Sequence, residues 1–576
     1  MLTQERQVEQ EPQCIRRFDV LWFAFWVLAS TAWCIAAALT VGVTYDERFY
    51  VTYGLGWWRG ELLRVLVAGT MPLSTDVQTL PLFLWETVRG TPFDLKADFF
   101  TLLYGARFAN LIFWWTLLYY GWRLGRLLAG RWGGNLALVF LACEPNLLGH
   151  ASLATTDISL VACLLGFAYH YRVGRDAAPG NWKARVFWPL IWCGLALLSK
   201  ASAGFFTLVM VLCIELELAW HRNQTLDGTS QPTGQAVRET LAAVFTRRHG
   251  REWLQIFGGA TLLMLIVCGI GCTTHPVLRQ WAAAAPAGTQ KEVASWLAAH
   301  LRLYPGAIDG IYLQLKHNAV GHAWYLLGQS DSQGSIWYYF PVVLTIKASL
   351  PLLVAALIVF WRPRAVWNWV GAVALVLLTM TLFHHVQNGV RHLFPCMALA
   401  AIALAGAWVK GDGGIKPASS RQFLLLRCLT LWMAVQAVAV WPHGILHVNA
   451  LWGGTADGYR LVSSSNYDMG QGMPELERWQ QANGIEKLTL WYFGTDARAE
   501  RANLQLWPLD YHPQNEQQFL DRVKGQYLAI GTTVLYGGYA ATLCNERECN
   551  PAIGLLRKKQ PMAKVGTFLI FDFTQK

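Results

Sequence analysis

The stretch VLWFAFWVLASTAWCIAAALTVG, residues 20–42, carries no charged side chain and leads into Thr44-Tyr45-Asp46-Glu47-Arg48. A helix of about 20 apolar residues crosses the roughly 30 Å hydrocarbon core of a bilayer. An ionised side chain costs roughly 2.5–3.5 kcal/mol at the centre of such a helix, so acids are expected at its end. The sequence therefore predicts a membrane-spanning helix that ends at a pair of carboxylates.

Ten further apolar stretches follow, and the chain as a whole is 54% hydrophobic and only 14% charged. This composition predicts a mainly α-helical, polytopic membrane protein with about eleven transmembrane helices. The N-terminus is polar through Arg17 and the first apolar run lacks a cleavage site, so we expect that run to be retained as a helix. The predicted spans are 20–42, 104–124, 134–149, 156–172, 186–202, 204–220, 254–274, 340–360, 366–384, 393–409 and 423–441.

Lysine and arginine residues fall in alternate loops, which accounts for the formal net charge of +11 without a nucleic-acid partner. Because short cytoplasmic loops are enriched in these residues, the pattern predicts a cytoplasmic N-terminus and an extracytoplasmic C-terminus. The Asp46 loop, the turn at 144–157, the segment 275–339 and the turn at 384–392 then face the extracytoplasmic side.

The composition changes near residue 442, where charged, polar and β-branched residues become frequent. We predict a transmembrane domain over 1–442, with extracytoplasmic loops at about 45–103 and 275–339, and a small extracytoplasmic α/β domain over 443–576. The expected elements of that domain are a helix at Pro474–Ala482 and strands at Lys487–Phe493, Gln526–Gly531 and Thr567–Asp572. Spacing alone does not decide whether Cys544 and Cys549 form a disulfide.

Asp46 and Glu47 are the first candidates for chemistry. A carboxylate within hydrogen-bond reach of a hydroxyl acts as a general base, and adjacent acids can divide proton transfer and positioning between them. The alternative is that both stabilise the positive end of the next helix. A second polar group, His150 and Asp157, lies in the turn between predicted spans three and four.

Several cations are expected near the outer ends of the spans. Lys200 lies in an apolar stretch and needs an anionic partner, for which Asp157 and a lipid phosphate are both candidates. Lys347, Arg391 and His392 lie at similar predicted depth, and a guanidinium holds phosphate oxygens well, although a salt bridge to a loop acid is equally open for Arg391. His275, His384 and His385 lack the spacing of a zinc site.

The motifs occur in a fixed order along the chain: Tyr45-Asp46-Glu47, Pro145-Asn146-Leu147-Leu148-Gly149-His150 with Thr155-Thr156-Asp157, Ser199-Lys200, Tyr338-Tyr339-Phe340-Pro341 with Lys347, Gly389-Val390-Arg391-His392-Leu393-Phe394-Pro395, and Ser465-Asn466-Tyr467-Asp468-Met469-Gly470-Gln471. This order resembles the polyprenyl-phosphate-dependent glycosyltransferases of the GT-C class. The similar subgroup includes bacterial protein O-mannosyltransferases and the aminoarabinose transferases of lipid A. In the last motif Met469 stands where those proteins carry a tryptophan.

The resemblance implies a GT-C fold in a bacterial inner membrane, with membrane lipids around it. It implies transfer of a sugar from a polyprenyl phosphate to a hydroxyl of a protein, lipid or glycan, with inversion at the anomeric carbon. By the same resemblance Asp46 is the general base, Glu47 positions a substrate and Asp157 is the second acidic position. No nucleotide is implied, and a divalent metal is left open.

Five residues are our own candidates for stabilising the leaving phosphate, whose negative charge grows in the transition state. They are Lys200, Lys347, Arg391, His150 and His392. The main alternatives are a secondary transporter, which would place its charged groups near the midplane of repeated halves, and a lipid-linked glycan ligase or polymerase. The sequence does not identify the sugar or the acceptor.

Overall fold

The structure is a computed structural model, and it describes residues 16–61, 65–66, 69–226, 238, 240–242, 244–268, 276–286, 288–300, 307–332, 334–409, 420–538, 544–545 and 548–574. These residues are mainly helical, with a small sheet near the C-terminus. The predicted fold class, a mainly α-helical chain with a C-terminal α/β part, is confirmed.

The helices of the described residues begin and end as follows. They are α1 (Arg17–Thr40), α2 (Glu47–Trp58), α3 (Pro72–Arg89), α4 (Phe99–Ala142), α5 (Pro145–Ala151), α6 (Asp157–Asp176), α7 (Trp188–Ser199), α8 (Ala203–Leu226), α9 (Arg247–Val267), α10 (Pro276–Ala284), α11 (Thr289–His300), α12 (Ala307–Val320), α13 (Tyr339–Lys347), α14 (Leu350–Ala356), α15 (Ile358–Trp361), α16 (Pro363–Val366), α17 (Trp369–Thr381), α18 (Phe394–Val409), α19 (Ser420–Ala439), α20 (Met473–Ala482), α21 (Glu516–Val523), α22 (Thr532–Tyr536) and α23 (Pro551–Lys558).

The strands are β1 (Trp324–Leu326), β2 (Gln329–Asp331), β3 (Leu488–Trp491), β4 (Leu504–Leu506), β5 (Tyr527–Gly531), β6 (Cys544–Asn545), β7 (Glu548–Cys549), β8 (Ala563–Val565) and β9 (Phe568–Asp572). A π-helical turn at Lys183–Phe187 precedes α7, and a 3-10 helix at Val390–Leu393 precedes α18. Another 3-10 helix, Ser464–Asn466, lies between α19 and α20.

By length and composition, three helices in the described part of the chain are able to cross a bilayer: Arg17–Thr40, Ala203–His221 and Val390–Val409. A bent pair at Tyr339–Lys347 and Leu350–Trp361 would make a fourth. The other predicted spans also lie largely on helices, among them the shorter apolar helices Trp369–Thr381 and Leu424–Ala439. The expected number of eleven is therefore not reached by this criterion.

The predicted span at 340–360 is not a single helix in the structure. The helix ends at Lys347 and restarts at Leu350, with a bend of 115° between the two parts. Ala348 and Ser349 take extended conformations, and Pro351 occupies the first turn of the new helix, where a missing amide hydrogen costs nothing. The ammonium of Lys347 provides the reason for the break, because it donates to the carbonyls of Ile445 at 2.7 Å and of His447 and Asn466 at 2.6 Å.

The long helix α4 contains the expected division between the second and third apolar stretches. Ala129 and Gly130 are not helical, and Gly130 has a φ of 66°, which favours glycine. The two halves then pack closely, since a Cβ on Gly125 would lie 2.7 Å from the carbonyl oxygen of Gly133. Arg131, beside this turn, donates to the buried carboxylate of Asp19 in α1 at 2.5 Å.

The chain forms two compact units, which we describe separately. The first consists of Met1–Arg48, Leu111–Leu153 and Gly321–Lys576, and the second of Phe49–Asn110 and Ala154–Val320. The predicted boundary near residue 442 stays a prediction.

A five-stranded sheet in the first unit has the order β4-β3-β5-β9-β8. β3 runs parallel to β4 and β5, whereas β9 is antiparallel to β5 and β8. Leu490, Ala529 and Ile570 are fully buried in its core, against Met473 and Leu476 of α20. The three predicted strands and the predicted helix are present, but the edge strands β4 and β8 were missed because each has only three residues.

A short antiparallel pair, β6 with β7, places Cys544 opposite Cys549 in the backbone register. The disulfide between them stays a prediction.

A buried ion-pair network joins the helices of the second unit. Arg175 of α6 pairs with Glu215 of α8 at 3.0 Å and with Glu252 of α9, while Arg185 donates twice to Glu252, at 2.9 and 3.0 Å. Tyr171 donates to Glu215 at 2.6 Å. Both arginines are buried and hold the helix ends together.

Helix α3 of the second unit lies within the segment 45–103 and is amphipathic. Its polar Gln78 is buried and donates to Asn110 at 3.0 Å and to the carbonyl of Thr155 at 2.8 Å. Trp85 and Val88 are exposed. An exposed apolar face of this kind is typical of a helix at a lipid interface.

We predict that Lys347→Met destabilises the first unit. Each buried carbonyl that loses its donor costs about 1–3 kcal/mol, so the free energy of unfolding should fall by about 3 kcal/mol or more. Chemical unfolding of the purified protein in detergent measures the change. Lys558→Met, at an exposed position on α23, is the matched control and should leave stability unchanged. Equal stability of the two variants would contradict this account of the helix break.

Candidate active site

Asp46 and Arg391 form a salt bridge in the first unit. Asp46 lies in the turn after α1, and Arg391 lies in the 3-10 helix before α18. The guanidinium Nη1 donates to the carboxylate Oδ2 at 2.6 Å. Both side chains are partly exposed, at 21% for Asp46 and 15% for Arg391. The pair is thus accessible, unlike most charged groups nearby, and it brings together two residues predicted separately from the sequence.

The segment Ser463–Gln471, which we call the tail loop, holds the Asp46 turn. The amide of Tyr45 donates to the Met469 carbonyl at 2.7 Å, and the amide of Gly42 donates to the Gln471 carbonyl at 3.0 Å. The Tyr45 ring also stacks on Phe493 with ring centroids 4.7 Å apart. Two backbone hydrogen bonds therefore fix the chain that leads into Asp46.

The same tail loop holds the turn that carries Arg391. The amide of Val390 donates to Oδ1 of Asn466 at 2.6 Å, and Ser465 donates to the carbonyl of Asn388. A side chain at Gly389 would collide with Ser465, so glycine is required at this close approach. Both partners of the salt bridge thus rest on one short piece of chain.

Lys347 lies fully buried beneath the tail loop. An ammonium has three donors, and here they are directed to the three carbonyls described above. Contact with a lipid phosphate, as predicted from the sequence, would require these bonds to break. In this arrangement the charge supports the loop.

Glu47 is buried at the start of α2. Its Oε2 accepts from both the amide and the hydroxyl of Thr44, each at 3.0 Å. The contact from the Thr44 amide is half of the capping-box arrangement that Thr-x-x-Glu sequences form at helix starts. This geometry is that of a group that stabilises the start of a helix, which is one of the two roles considered for Glu47 from the sequence. The other role, the positioning of a substrate, stays a prediction.

In the second unit, Asp157 and Lys200 form the other pair of predicted residues that the structure brings together. Nζ of Lys200 lies 3.2 Å from Oδ1 of Asp157, and Asp157 is buried whereas Lys200 is partly exposed. Asp157 is the first residue of α6, where the helix dipole favours negative charge. Of the two partners expected for Lys200, the acid is the one observed.

The two predicted histidines differ in their surroundings. His150 is buried, with its ring edge-on to Phe394 at a centroid distance of 4.8 Å. His392 is partly exposed; its Nε2 lies 2.8 Å from Oδ1 of Asn388, and its ring lies 5.1 Å from that of His384. His392 is the next residue after Arg391, so of the two it is better placed beside the salt bridge.

Sequence reasoning assigned no role to Asn466 or Asp468, although both belong to a motif used for the resemblance. Asp468 is buried; it accepts from the amides of Thr533 and Gly470, each at 2.9 Å, and burial raises its pKa. It attaches the tail loop to α22. The motif Ser465–Gln471 was the signal in the sequence that this segment is more than a linker.

A metal site is not evident in the described ranges. They contain no group of three or more His, Cys, Asp or Glu side chains placed to hold an ion. His275, one of the histidines considered from the sequence, lies outside the described residues. A divalent cofactor stays an open question.

No protein-family model and no curated protein matches the chain. Among solved structures, ArnT from Cupriavidus metallidurans bound to undecaprenyl phosphate is 12% identical with a TM-score of 0.44, and the match covers 95% of this chain and 97% of that chain. The archaeal oligosaccharyltransferase AglB from Archaeoglobus fulgidus, in complex with an inhibitory peptide and a dolichol-phosphate, is 11% identical with a TM-score of 0.41, over 96% of this chain and 74% of that one.

The Saccharomyces cerevisiae protein O-mannosyltransferase Pmt1-Pmt2 complex, bound to the sugar donor, is 15% identical with a TM-score of 0.31. That match covers 44% of this chain and 33% of the yeast chain, so it spans about a third of the yeast protein. All three are GT-C glycosyltransferases, the class that the sequence motifs resemble.

We predict an acid-sensitive stability that depends on His447, whose carbonyl accepts from Lys347. Burial, with a smaller effect of the Lys347 charge, lowers the pKa of its imidazole from 6.5 to about 3. Between pH 6.5 and about 3, His447 therefore binds a proton in the unfolded chain but not in the folded chain. The stabilising contribution is complete above pH 6.5 and is lost as pH falls toward 3, by up to about 1.4 kcal/mol per pH unit.

Unfolding measured at several pH values below 6.5 tests this dependence. His447→Gln should flatten the acid side of the stability curve, while His512→Gln, at an exposed position, should not. An unchanged curve in His447→Gln would remove this residue as the cause.

Proposed function

We propose that the chain is a membrane glycosyltransferase that moves a sugar from a polyprenyl phosphate to an acceptor hydroxyl at the extracytoplasmic face. One observation carries the proposal: a carboxylate and a guanidinium, Asp46 and Arg391, meet at 2.6 Å with both side chains partly exposed. Transfer of a sugar from a phosphate to a hydroxyl needs these two functions side by side, a proton acceptor and a phosphate-binding cation.

In the proposed reaction the acceptor hydroxyl attacks the anomeric carbon of the lipid-linked sugar. A new bond forms between that carbon and the acceptor oxygen, and the hydroxyl proton passes to the carboxylate of Asp46. The bond from the anomeric carbon to the phosphate oxygen breaks, and its electron pair leaves with the polyprenyl phosphate. Attack from the face opposite the leaving group inverts the configuration.

Arg391 serves the leaving phosphate in this scheme. A guanidinium presents five N–H donors in a planar fork, which suits the oxygens of a phosphate. In the structure the guanidinium donates to the Asp46 carboxylate at 2.6 Å. The donor phosphate competes with Asp46 for the Arg391 guanidinium. Donor binding therefore weakens the salt bridge, and the Asp46 carboxylate is then able to accept a proton.

The roles of Asp157 and Lys200 in the reaction stay predictions. These two residues pair with each other in the second unit, at 3.2 Å, and Lys200 is partly exposed. His392 follows Arg391 directly and adds a polar ring to the same turn. The extracytoplasmic face is proposed from the distribution of basic loops, and the bacterial inner membrane is proposed from the resemblance of the motifs.

We predict that Asp46→Asn lowers transfer by about 10²-fold or more, because the amide cannot accept the proton. Purified protein in lipid nanodiscs, supplied with polyprenyl-phosphate sugars extracted from its host, provides the assay, with release of free polyprenyl phosphate as the readout. Asp457→Asn, at an acid whose side chain is 74% exposed, is the control and should retain full turnover. Full turnover in Asp46→Asn would exclude this residue as the base.

We also predict that Arg391→Ala weakens donor binding more than acceptor binding. Loss of a charge-assisted hydrogen bond costs about 1.5–3 kcal/mol, which is roughly a 10- to 150-fold rise in the KM for the lipid-linked sugar. Arg391→Lys keeps the charge without the planar fork and should fall between the alanine variant and the wild type. Equal changes in the KM of donor and acceptor would argue against a phosphate at this position.

A further inference from the structure

The tail loop contacts both partners of the Asp46–Arg391 salt bridge through different groups. On the Asp46 side it offers backbone carbonyls, those of Met469 and Gln471. On the Arg391 side the decisive contact is a side chain, Oδ1 of Asn466, which accepts from the Val390 amide at 2.6 Å. A substitution of Asn466 is therefore expected to displace the Arg391 guanidinium. The turn that carries Asp46 keeps its backbone hydrogen bonds to Met469 and Gln471.

Asn466 is itself held from three directions. Its Nδ2 donates to the hydroxyl of Tyr339 at 3.1 Å, and its carbonyl accepts from the Lys347 ammonium at 2.6 Å. The residue is fully buried. A buried amide with its acceptor and donor both engaged has a single favourable orientation, so the Val390 amide is bound at a defined place.

The bond to Val390 acts next to the cation. Val390 directly precedes Arg391. The residue before Val390, Gly389, packs closely against Ser465, and the Ser465 hydroxyl donates to the carbonyl of Asn388. Two residues of the tail loop thus hold three consecutive positions of the turn, 388–390, and the guanidinium extends from the next one.

We propose that Asn466 is a positioning residue for the transfer reaction, which sets Arg391 against Asp46 by holding the Val390 amide. This inference rests on the proposed function for its catalytic consequence. Through Asn466 the C-terminal part of the chain would have a role in catalysis. Asn466 does not itself react, but it determines where the phosphate-binding cation, Arg391, lies. Misplacement of a group by about 1 Å can cost 10²-fold in rate.

The first test compares Asn466→Ala with Asn550→Ala in the nanodisc assay. Asn550 is equally buried and makes similar contacts, donating to the Tyr511 carbonyl at 2.9 Å and accepting from the Ala552 amide at 3.0 Å, but it lies away from the turn at 388–391. Asn466→Ala should lower kcat/KM for the donor by about 10²-fold, and Asn550→Ala should not. Equal losses would reduce Asn466 to a general structural role.

A double-mutant cycle separates positioning from stability. If Asn466 acts through Arg391, its substitution has no further effect once the guanidinium is gone, so Asn466→Ala/Arg391→Ala should be as active as Arg391→Ala alone. Multiplication of the two losses would overturn the proposal. Where Asn466→Ala fails to fold, Tyr339→Phe, which removes only the hydroxyl that Asn466 contacts, takes its place in the same cycle.

Hydrogen exchange at the Val390 amide distinguishes failure of this inference from failure of the proposed function. Exchange should accelerate at least 10-fold in Asn466→Ala and remain at the wild-type rate in Asn550→Ala, whether or not the protein transfers sugar. A wild type without transferase activity but with this exchange pattern would retain the positioning role and refute only the reaction. Unchanged exchange at Val390 in Asn466→Ala would refute the positioning role.

Discussion

The arrangement depends on a buried charge, the ammonium of Lys347. A charge removed from water is tolerated only when its hydrogen-bonding capacity is met, and here three carbonyls surround it. Those carbonyls belong to two segments that follow α19: residues 445–447 and the tail loop, at Asn466. The ammonium thus joins a broken apolar helix to the tail loop, and the tail loop in turn holds the turns of Asp46 and Arg391. One lysine links the membrane part of the first unit to its candidate site.

Several charged groups of this chain are buried, whereas the Asp46–Arg391 pair is partly exposed. Lys347, Asp19, Arg175 and Arg185 are buried, and their partners are backbone carbonyls or opposite charges that close the interaction. Asp46 and Arg391 remain partly exposed although they are paired. Buried pairs stabilise a conformation but exchange partners slowly, whereas a partly exposed pair can accept a third group. This difference favours Asp46–Arg391 as the reactive site.

Apolar patterning was enough to predict the helical class, the first helix, and the C-terminal helix and strands, because these elements bury runs of similar residues. It did not predict the break at Lys347, because the mean hydropathy of a stretch changes little with a single charge. It also missed the edge strands β4 and β8, which have only three residues each. Among the candidate residues, Asp46 and Arg391 were proposed independently and their contact was foreseen only as one of two options. The sequence did not indicate that Asn466 and Ser465 position the turn at 388–391. Their partners in that turn lie 76 and 77 positions away along the chain.

The most direct test of the account is a structure of the protein with undecaprenyl phosphate bound. The account predicts phosphate oxygens about 3 Å from the Arg391 guanidinium, with the Asp46 carboxylate facing the place where the anomeric carbon would lie. It also predicts that the turn at 388–391 keeps its bond to Asn466. A phosphate bound elsewhere, with the Asp46–Arg391 salt bridge intact, would contradict it.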